Sequence, residues 1–183
     1  YFKELIVRWM QFCLFSPVMR LHGSRLRTKD QVRKHPGIIE PSGGDNELWS
    51  FGEENYEILK RLVLLREKLR PYICDYMKIA SEEGKPIMRP MFFDYYEDEV
   101  CYTLEDQYLF GEDILFAPVT EQGQRERRVY LPKGRWQDVN SGKVYDGQRF
   151  MTCQVPLEQF AAFIKEGSKV AEVFGWQRCS IRQ

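Results

Sequence analysis

The spacing of apolar residues changes at Gly84, and this change restricts the chain to a helical part followed by a β-rich part. Between Ile58 and Ala80, apolar residues recur every three or four positions, which is the period of a helix that buries one face. From Lys85 onward the period is two, which is the period of strands. The sequence therefore predicts a change of fold class, and of domain, near Gly84.

The helix before this boundary is predicted to run from Glu53 to Glu83. Acidic residues at its start suit the positive N-terminal end of a helix, and Gly84 is a typical stop signal. Pro71 lacks an N–H group and is predicted to kink this helix or to divide it in two. The predicted buried stripe consists of Ile58, Leu62, Leu65, Leu69, Tyr72, Tyr76 and Ala80.

Short alternating segments, separated by turns rich in glycine, proline and asparagine, fill the second part of the chain. Segments of this length and spacing are typical of an all-β sandwich. The predicted strands are Ile87–Phe93, Gln107–Phe110, Ile114–Val119, Arg127–Leu131, Gly134–Asp138, Lys143–Tyr145, Arg149–Thr152 and Ala161–Lys165.

The part before Gly84, with one helix, one strand and the long helix, cannot form a closed hydrophobic unit by itself. A helix is followed by a predicted strand, Phe15–Gly23, and by a long loop from about Ser24 to Phe51, with Trp49 and Phe51 expected to pack back onto the body. A lone strand leaves both edges unpaired, so we expect the chain to be part of something larger. The face predicted for the first helix consists of Leu5, Ile6, Trp9, Met10 and Cys13.

Charge and cysteine content narrow the class of protein. Lys and Arg number 27, equal to Asp and Glu, and the two signs are interspersed, so the basic stripe of a nucleic-acid-binding protein is missing. No apolar stretch approaches the ~20 residues that cross a bilayer. The five cysteines are scattered without a C-x-x-C pair, which favours reduced thiols in a cytoplasmic protein over a disulfide framework or a zinc site.

Several linked motifs, in order up to about Val170, resemble glycoside hydrolase family 31. ELIVRWMQFCLFSPVMRLHG resembles the segment around the last barrel strand of that family, and LREKLRPYI resembles its following helix. Three later stretches resemble the β-sandwich that follows the barrel. They are GKPIMRPMFFDYYEDE, EDQYLFGEDILFAPVTEQG and VYLPKGRWQDVNSGKVYDG.

The resemblance implies the last units of a (β/α)8 TIM barrel over residues 1–84 and an antiparallel β-sandwich over residues 85–170, with residues 171–183 unassigned. It also implies a retaining mechanism with two aspartates. In the family both aspartates precede the stretch where this sequence begins, so no catalytic residue is assigned here. The implied parent hydrolyses terminal α-linked glucose or xylose and needs no cofactor or metal. The alternatives are an α-transglycosylase of the same family and a non-catalytic carbohydrate-binding or structural β-sandwich.

His22 is the one substrate-binding residue that the resemblance implies, because the matching histidine of the family contacts the sugar. It sits at the C-terminal end of the last barrel strand, where groups of the catalytic face lie. Arg20 is interpreted as a residue that neutralises a buried acid from a strand outside this sequence. Asp45 stands in a Gly-Asp-Asn context like that of the family's acid/base, but it comes too late in the chain and is interpreted as a loop residue. The implied partners are an α-glycoside or oligosaccharide, the rest of the barrel and, as an open option, a second subunit.

The remaining conspicuous residues are interpreted as structural. The paired acids in the sandwich are predicted to lie at its rim or at strand ends, with calcium ligation left open for the run from Glu97 to Glu99. Trp136 is predicted to pack, whereas Trp49 is equally compatible with packing and with lining the site entrance. The paired acids are Glu105, Asp106, Glu112 and Asp113.

Overall fold

The computed structural model of the chain describes residues 2–21 and 45–178, with side chains described up to Gly175. Two helices pack against one face of an antiparallel sheet, and a two-stranded ribbon covers the other face. Within the described residues, no helix is long and apolar enough to cross a membrane. The four described cysteines are free thiols.

The first helix, α1, spans Phe2–Leu14 and buries the predicted face in part: Met10 is buried, and Leu5, Ile6 and Cys13 are half-buried. Trp9 is 60% exposed, whereas the polar residues Arg8 and Gln11 are buried. The prediction was wrong for Trp9 because it ranked residues by hydropathy, whereas Arg8 and Gln11 are buried with Arg8 Nη2 and Gln11 Nε2 donating to distant backbone carbonyls. The buried residues of α1 are Val7, Arg8, Met10, Gln11 and Leu14.

The described part of the predicted strand Phe15–Gly23 is not a strand. Phe15–Pro17 forms a turn and Val18–Leu21 has no regular structure, because no described strand pairs with this segment and a strand needs a ladder partner. Of the predicted loop, residues 45–51 are described and end in a short 3-10 helix, Leu48–Phe51. Phe51 is buried against Phe2, as expected, but Trp49 is 69% exposed and does not pack back.

The second helix, α2, spans Glu53–Glu83 and has the predicted bounds. It ends at Gly84, whose left-handed backbone (φ 72°) allows its N–H to bond to the carbonyl of Ala80. Pro71 does not divide this helix. Pro71 and Glu67, whose carbonyl loses its usual partner, both lie on the exposed face, where water can satisfy that carbonyl. The predicted stripe is confirmed, with Ile58, Leu62, Leu65, Leu69 and Tyr76 buried and Tyr72 and Ala80 half-buried.

All eight predicted strands are present, in two antiparallel sheets. The larger sheet has the order β1-β2-β3-β8-β5-β6, and β4 pairs with β7 in a separate ribbon. The prediction for Ile87–Phe93 was partly wrong, because Met91–Asp94 forms a one-turn helix, α3, after Pro90, which has no N–H to continue a ladder. The strands are Met88–Pro90 (β1), Tyr108–Phe110 (β2), Ile114–Ala117 (β3), Glu126–Leu131 (β4), Arg135–Asp138 (β5), Val144–Asp146 (β6), Arg149–Gln154 (β7) and Ala161–Lys165 (β8).

The central strands of the larger sheet, β2, β3 and β8, are buried on both faces, which explains why they are continuous apolar runs. In β2, Tyr108 and Phe110 face a first core shared with α1 and α2, while Leu109 faces a second core shared with the β4-β7 ribbon. A strand buried on both sides loses the alternation of a half-buried strand. Trp136 lies in the second core with no exposed surface, and its indole N–H donates to the carbonyl of Pro132, so the predicted packing role is confirmed.

The chain after β8 returns to the first core. Lys169–Arg178 forms a 3-10 helix in which Val170 and Phe174 are buried. The ring of Phe174 stacks on that of Phe15 with 6.5 Å between centroids. The described part of the unassigned tail therefore packs against the end of α1.

Candidate functional site

His22, the predicted sugar-binding residue, lies outside the described residues. The structure describes the segment that leads to it, Ser16–Leu21, which we call the approach segment. The side chains that hold the start of this segment come from α2 and from the sheet, and they determine where it leaves the body of the molecule.

Arg66 of α2 holds the end of α1 and the beginning of the approach segment. Its Nη1 donates to the carbonyls of Leu14 (2.8 Å) and Ser16 (2.7 Å), and its Nη2 donates to the carbonyl of Pro17 (2.9 Å). The last carbonyls of a helix lack partners within the helix, and a cation near them is also favoured by the helix dipole. Burial lowers the pKa of the Arg66 guanidinium, which stays protonated at neutral pH.

Phe15, which begins the same turn, is held by contacts with the sheet and with the connection before β8. Its side chain has no exposed surface, and its ring lies 4.6 Å from that of Phe116 and 5.5 Å from that of Phe160. The carbonyl of Phe15 accepts a hydrogen bond of 2.9 Å from the hydroxyl of Tyr108. With the three carbonyls bound by Arg66, four consecutive carbonyls from Leu14 to Pro17 are held by side chains of other elements.

Beyond Pro17 the approach segment has few contacts. Val18 is 73% exposed, Arg20 and Leu21 are also exposed, and Met19 alone is half-buried against the first core. Asp45 is exposed in the loop before the short 3-10 helix, and its carbonyl accepts a hydrogen bond from the Ser50 hydroxyl. The roles of Arg20 as a neutralising charge and of Trp49 at the site entrance stay predictions.

The acids of the sandwich have structural partners. Asp106 pairs with Arg127 at 2.8 Å, and Glu112 pairs with the buried Arg89 at 3.4 Å. Asp98 accepts hydrogen bonds from the Val100 N–H and from the Tyr130 hydroxyl. In the described part of the chain, no three His, Cys, Asp or Glu side chains are arranged to hold a metal ion. These contacts favour the structural interpretation of the paired acids.

Polar side chains join the helices to the sandwich, and the sequence did not reveal them. The guanidinium of Arg8 donates to the carbonyls of Val155 and Gln159. Tyr72 of α2 donates its hydroxyl to the carbonyl of Phe110 in β2. The partners of Arg8 lie about 150 positions away in the chain, beyond the reach of a local pattern. In the sequence, Arg66 was indicated only weakly, as a cation that lies between Leu65 and Leu69 of the predicted buried stripe.

Two family models match consecutive parts of the chain. The model of the glycosyl hydrolases family 31 TIM-barrel domain matches residues 1–76, and that of the glycosyl hydrolase family 31 C-terminal domain matches residues 84–170. The chain belongs to glycosyl hydrolase family 31. The helices α1 and α2 therefore belong to the end of a TIM barrel and the two sheets belong to the C-terminal domain of that family, so the predicted fold is confirmed.

Relatives within family 31 have different named activities. Alpha-glucosidase 2 of Bacillus thermoamyloliquefaciens is 36% identical over 92% of this chain and 19% of its own length. Isomaltosyltransferase of Sporosarcina globispora is 32% identical over 90% of this chain and 14% of its own length. The crystal structure of a family 31 α-xylosidase from a soil metagenome, complexed with xylose, has a TM-score of 0.84 and 43% identity, covering 95% of this chain and 26% of that one. The chain spans about a fifth of the length of the first of these relatives.

Proposed function

We propose that the chain is the C-terminal part of a retaining α-glycosidase that releases terminal α-linked glucose or xylose. The observation that carries this proposal is the match to the barrel and C-terminal domains of family 31 in that order, with a glucosidase and a xylosidase among the relatives. The function is one that the whole enzyme performs, and this chain contributes to it.

The roles of the preceding barrel units and of this chain follow from the chemistry of retaining glycosidases. One carboxylate attacks the anomeric carbon to form a glycosyl-enzyme, and a second protonates the leaving oxygen and then activates water. The proposal places both carboxylates in the barrel units that precede this stretch. His22 would hold a hydroxyl of the non-reducing sugar, since a neutral imidazole donates from one nitrogen and accepts at the other. The sheet and α2 would support the segment that leads to His22.

Exposed apolar side chains mark the surface that we assign to the contact with the preceding barrel units. A soluble domain seldom exposes so many large apolar side chains on one helix and the segment that follows it. The proposed partner of this surface is the rest of the catalytic barrel, whose strands would also pair with the approach segment. The exposed apolar residues of α1 and the approach segment are Phe2, Trp9, Phe12, Val18 and Leu21.

We expect the isolated 183-residue chain to have no glycosidase activity. The reason is that neither carboxylate of the proposed mechanism is assigned to it. The measurement is release of nitrophenol from an aryl α-glucoside and an aryl α-xyloside, by the chain alone and by the protein that includes the barrel units. Turnover by the isolated chain that disappears in Asp45→Asn would show that Asp45 is catalytic and that the proposed arrangement is wrong.

His22→Ala in the full-length enzyme is expected to lower kcat/KM by a factor of about 100, which corresponds to losing roughly 3 kcal/mol from a hydrogen-bonded sugar contact. The measurement is steady-state kinetics on the same aryl α-glycosides, with the midpoint of thermal unfolding as a check that the variant is folded. Wild-type kinetics in His22→Ala would remove His22 from the site.

A transglycosylase is the second candidate, favoured by the relationship to an isomaltosyltransferase. In that case a sugar hydroxyl, not water, would receive the glycosyl group. Chromatography of the products formed from maltose distinguishes the two activities, because a transglycosylase yields longer oligosaccharides and a hydrolase yields glucose.

A free-standing carbohydrate-binding sandwich has less support, since removing the helices would expose the face that carries Tyr108, Phe110 and Phe116. Calorimetric binding of oligosaccharides by residues 85–183 alone would revive it.

A further inference from the structure

Three exposed aromatic rings lie close together on the segment between β1 and β2. Phe92 belongs to α3, and Tyr102 ends a short 3-10 helix, Glu99–Tyr102. The rings of these two residues stack, with 5.2 Å between their centroids and 9° between their planes. The Tyr102 hydroxyl donates to the carbonyl of Tyr96 (3.1 Å), whose side chain is 67% exposed. We call Phe92, Tyr96 and Tyr102 the aromatic patch, since exposed rings grouped in this way mark binding surfaces.

The aromatic patch lies on the side of the larger sheet that faces away from α1 and α2. Met91 and Cys101, which directly precede Phe92 and Tyr102 in the chain, have no exposed surface and belong to the second core. The helices α1 and α2 pack on the first core, across the sheet. The surface that we assign to the preceding barrel units consists of α1 and the approach segment, so that contact does not account for the exposed rings.

Tyr96 also lines a depression of about 470 Å³, which is within the size range of small-ligand sites. The lining includes the carboxylates of Glu97 and Glu99, the ammonium of Lys133 and the amide of Gln148. Within residues 2–21 and 45–175, none of these four side chains has a hydrogen-bond or ion-pair partner. The depression therefore offers both acceptors and donors that no other described group uses.

Hydrogen bonds to Asp98 hold this surface in place. The Asp98 carboxylate accepts from the Val100 N–H (3.1 Å) and from the hydroxyl of Tyr130 in β4 (2.8 Å), which ties the segment to the ribbon. Gln148, in the turn between β6 and β7, has a φ of 56°, in the left-handed region that is unfavourable for a residue with a side chain. Strain of this kind is common at ligand sites, and side chains that are already held lose little conformational entropy on binding.

We propose that the aromatic patch and the adjoining depression bind a chain of glucose units. A pyranose ring has an apolar face of C–H groups, which suits an exposed aromatic ring, and a rim of hydroxyls that both donate and accept, which suits the unpaired polar groups of the depression. The choice of a glucan rests on the proposed function. An enzyme that removes sugars from the end of a chain gains from holding that chain at a further point, because the chain end then stays at a high effective concentration.

The test is calorimetric titration of the full-length enzyme with β-cyclodextrin and with cellohexaose, which are α-linked and β-linked chains of glucose. Neither probe has the terminal α-linked sugar that the proposed function releases. At least one of them is expected to bind, and Tyr96→Ala and Tyr102→Ala are each expected to raise its Kd by a factor of about 10, as for truncation of an aromatic anchor. Binding of neither probe, or unchanged Kd in both tyrosine variants, would overturn the proposal.

Phe150→Ala is the matched control, because the ring of Phe150 is exposed but already covered by the Arg128 guanidinium, 3.9 Å from its centroid. Its Kd is expected to stay within a factor of about 2 of the wild-type value, and an equal loss in Phe150→Ala would also count against the proposal. Tyrosine-dependent binding in an enzyme without activity on aryl α-glycosides would refute the proposed function and leave the glucan site standing. Activity without tyrosine-dependent binding of either probe would refute the site and leave the function.

Discussion

Gly111→Ala is expected to lower the free energy of unfolding by about 3 kcal/mol, through backbone strain in the left-handed region and loss of buried hydrogen bonds. Gly111 has a φ of 66° in the turn between β2 and β3, and a Cβ there would overlap the hydroxyl of Tyr72 and lie 2.8 Å from the ring of Tyr76. The Tyr72 hydroxyl donates to the Phe110 carbonyl (2.9 Å) and accepts from the Asp113 N–H (3.3 Å). The added methyl group would push α2 away from the sheet and break both bonds.

Gly84→Ala is the matched control for this prediction. Gly84 also has a left-handed backbone, with a φ of 72°, but no heavy atom lies within 4 Å of the place that its Cβ would occupy. It is therefore expected to lose only the strain energy, about 1 kcal/mol. Urea unfolding of the two variants measures the difference. Equal losses would mean that the tyrosine contact contributes nothing and that strain alone explains both.

The position of Gly111 illustrates what the sequence revealed and what it concealed. A glycine between two apolar runs predicts a turn, and that turn is present between β2 and β3. The close approach of Tyr72 was invisible, since it depends on how α2 packs on the sheet. The bounds of α2 were predicted correctly because a local signal, Gly84 in the left-handed region, ends the helix.

The errors have a common physical cause, which is that distant partners decided the local structure. The two Nη atoms of the buried Arg8 donate to three carbonyls from beyond residue 120, so hydropathy missed its place on the buried face of α1. The segment after Phe15 has strand-like composition but no pairing partner among the described strands. The site could be predicted from the sequence only in part. His22 followed from a resemblance, whereas the contacts of Arg66 become visible only when α1 and α2 are placed side by side.

Phe15→Ala is expected to lower the free energy of unfolding by about 3–5 kcal/mol, which is the range for removing a buried aromatic ring whose surroundings collapse only partly. Four rings lie around that of Phe15, at centroid distances from 4.6 to 6.5 Å, and they come from β2, β3, the connection before β8 and the final 3-10 helix. No single neighbour can move into the space without leaving its own contacts. The measurement is the free energy of unfolding from urea denaturation.

Phe150→Ala is the control, since Phe150 is 41% exposed on β7 and lies against the ring of Tyr130 and the guanidinium of Arg128. Removing its ring is expected to lower the free energy of unfolding by about 1 kcal/mol, which is the scale of a cross-strand aromatic pair. Phe15→Leu refills part of the cavity, so its loss of stability should fall between those of the two alanine variants.

Phe15 also precedes the approach segment. Phe15→Ala should therefore lower kcat/KM of the full-length enzyme even where the variant is fully folded, while Phe150→Ala should not. A similar cost for both alanine variants, without a kinetic difference, would mean that the packing of Phe15 orders neither the first core nor the chain that leads to His22.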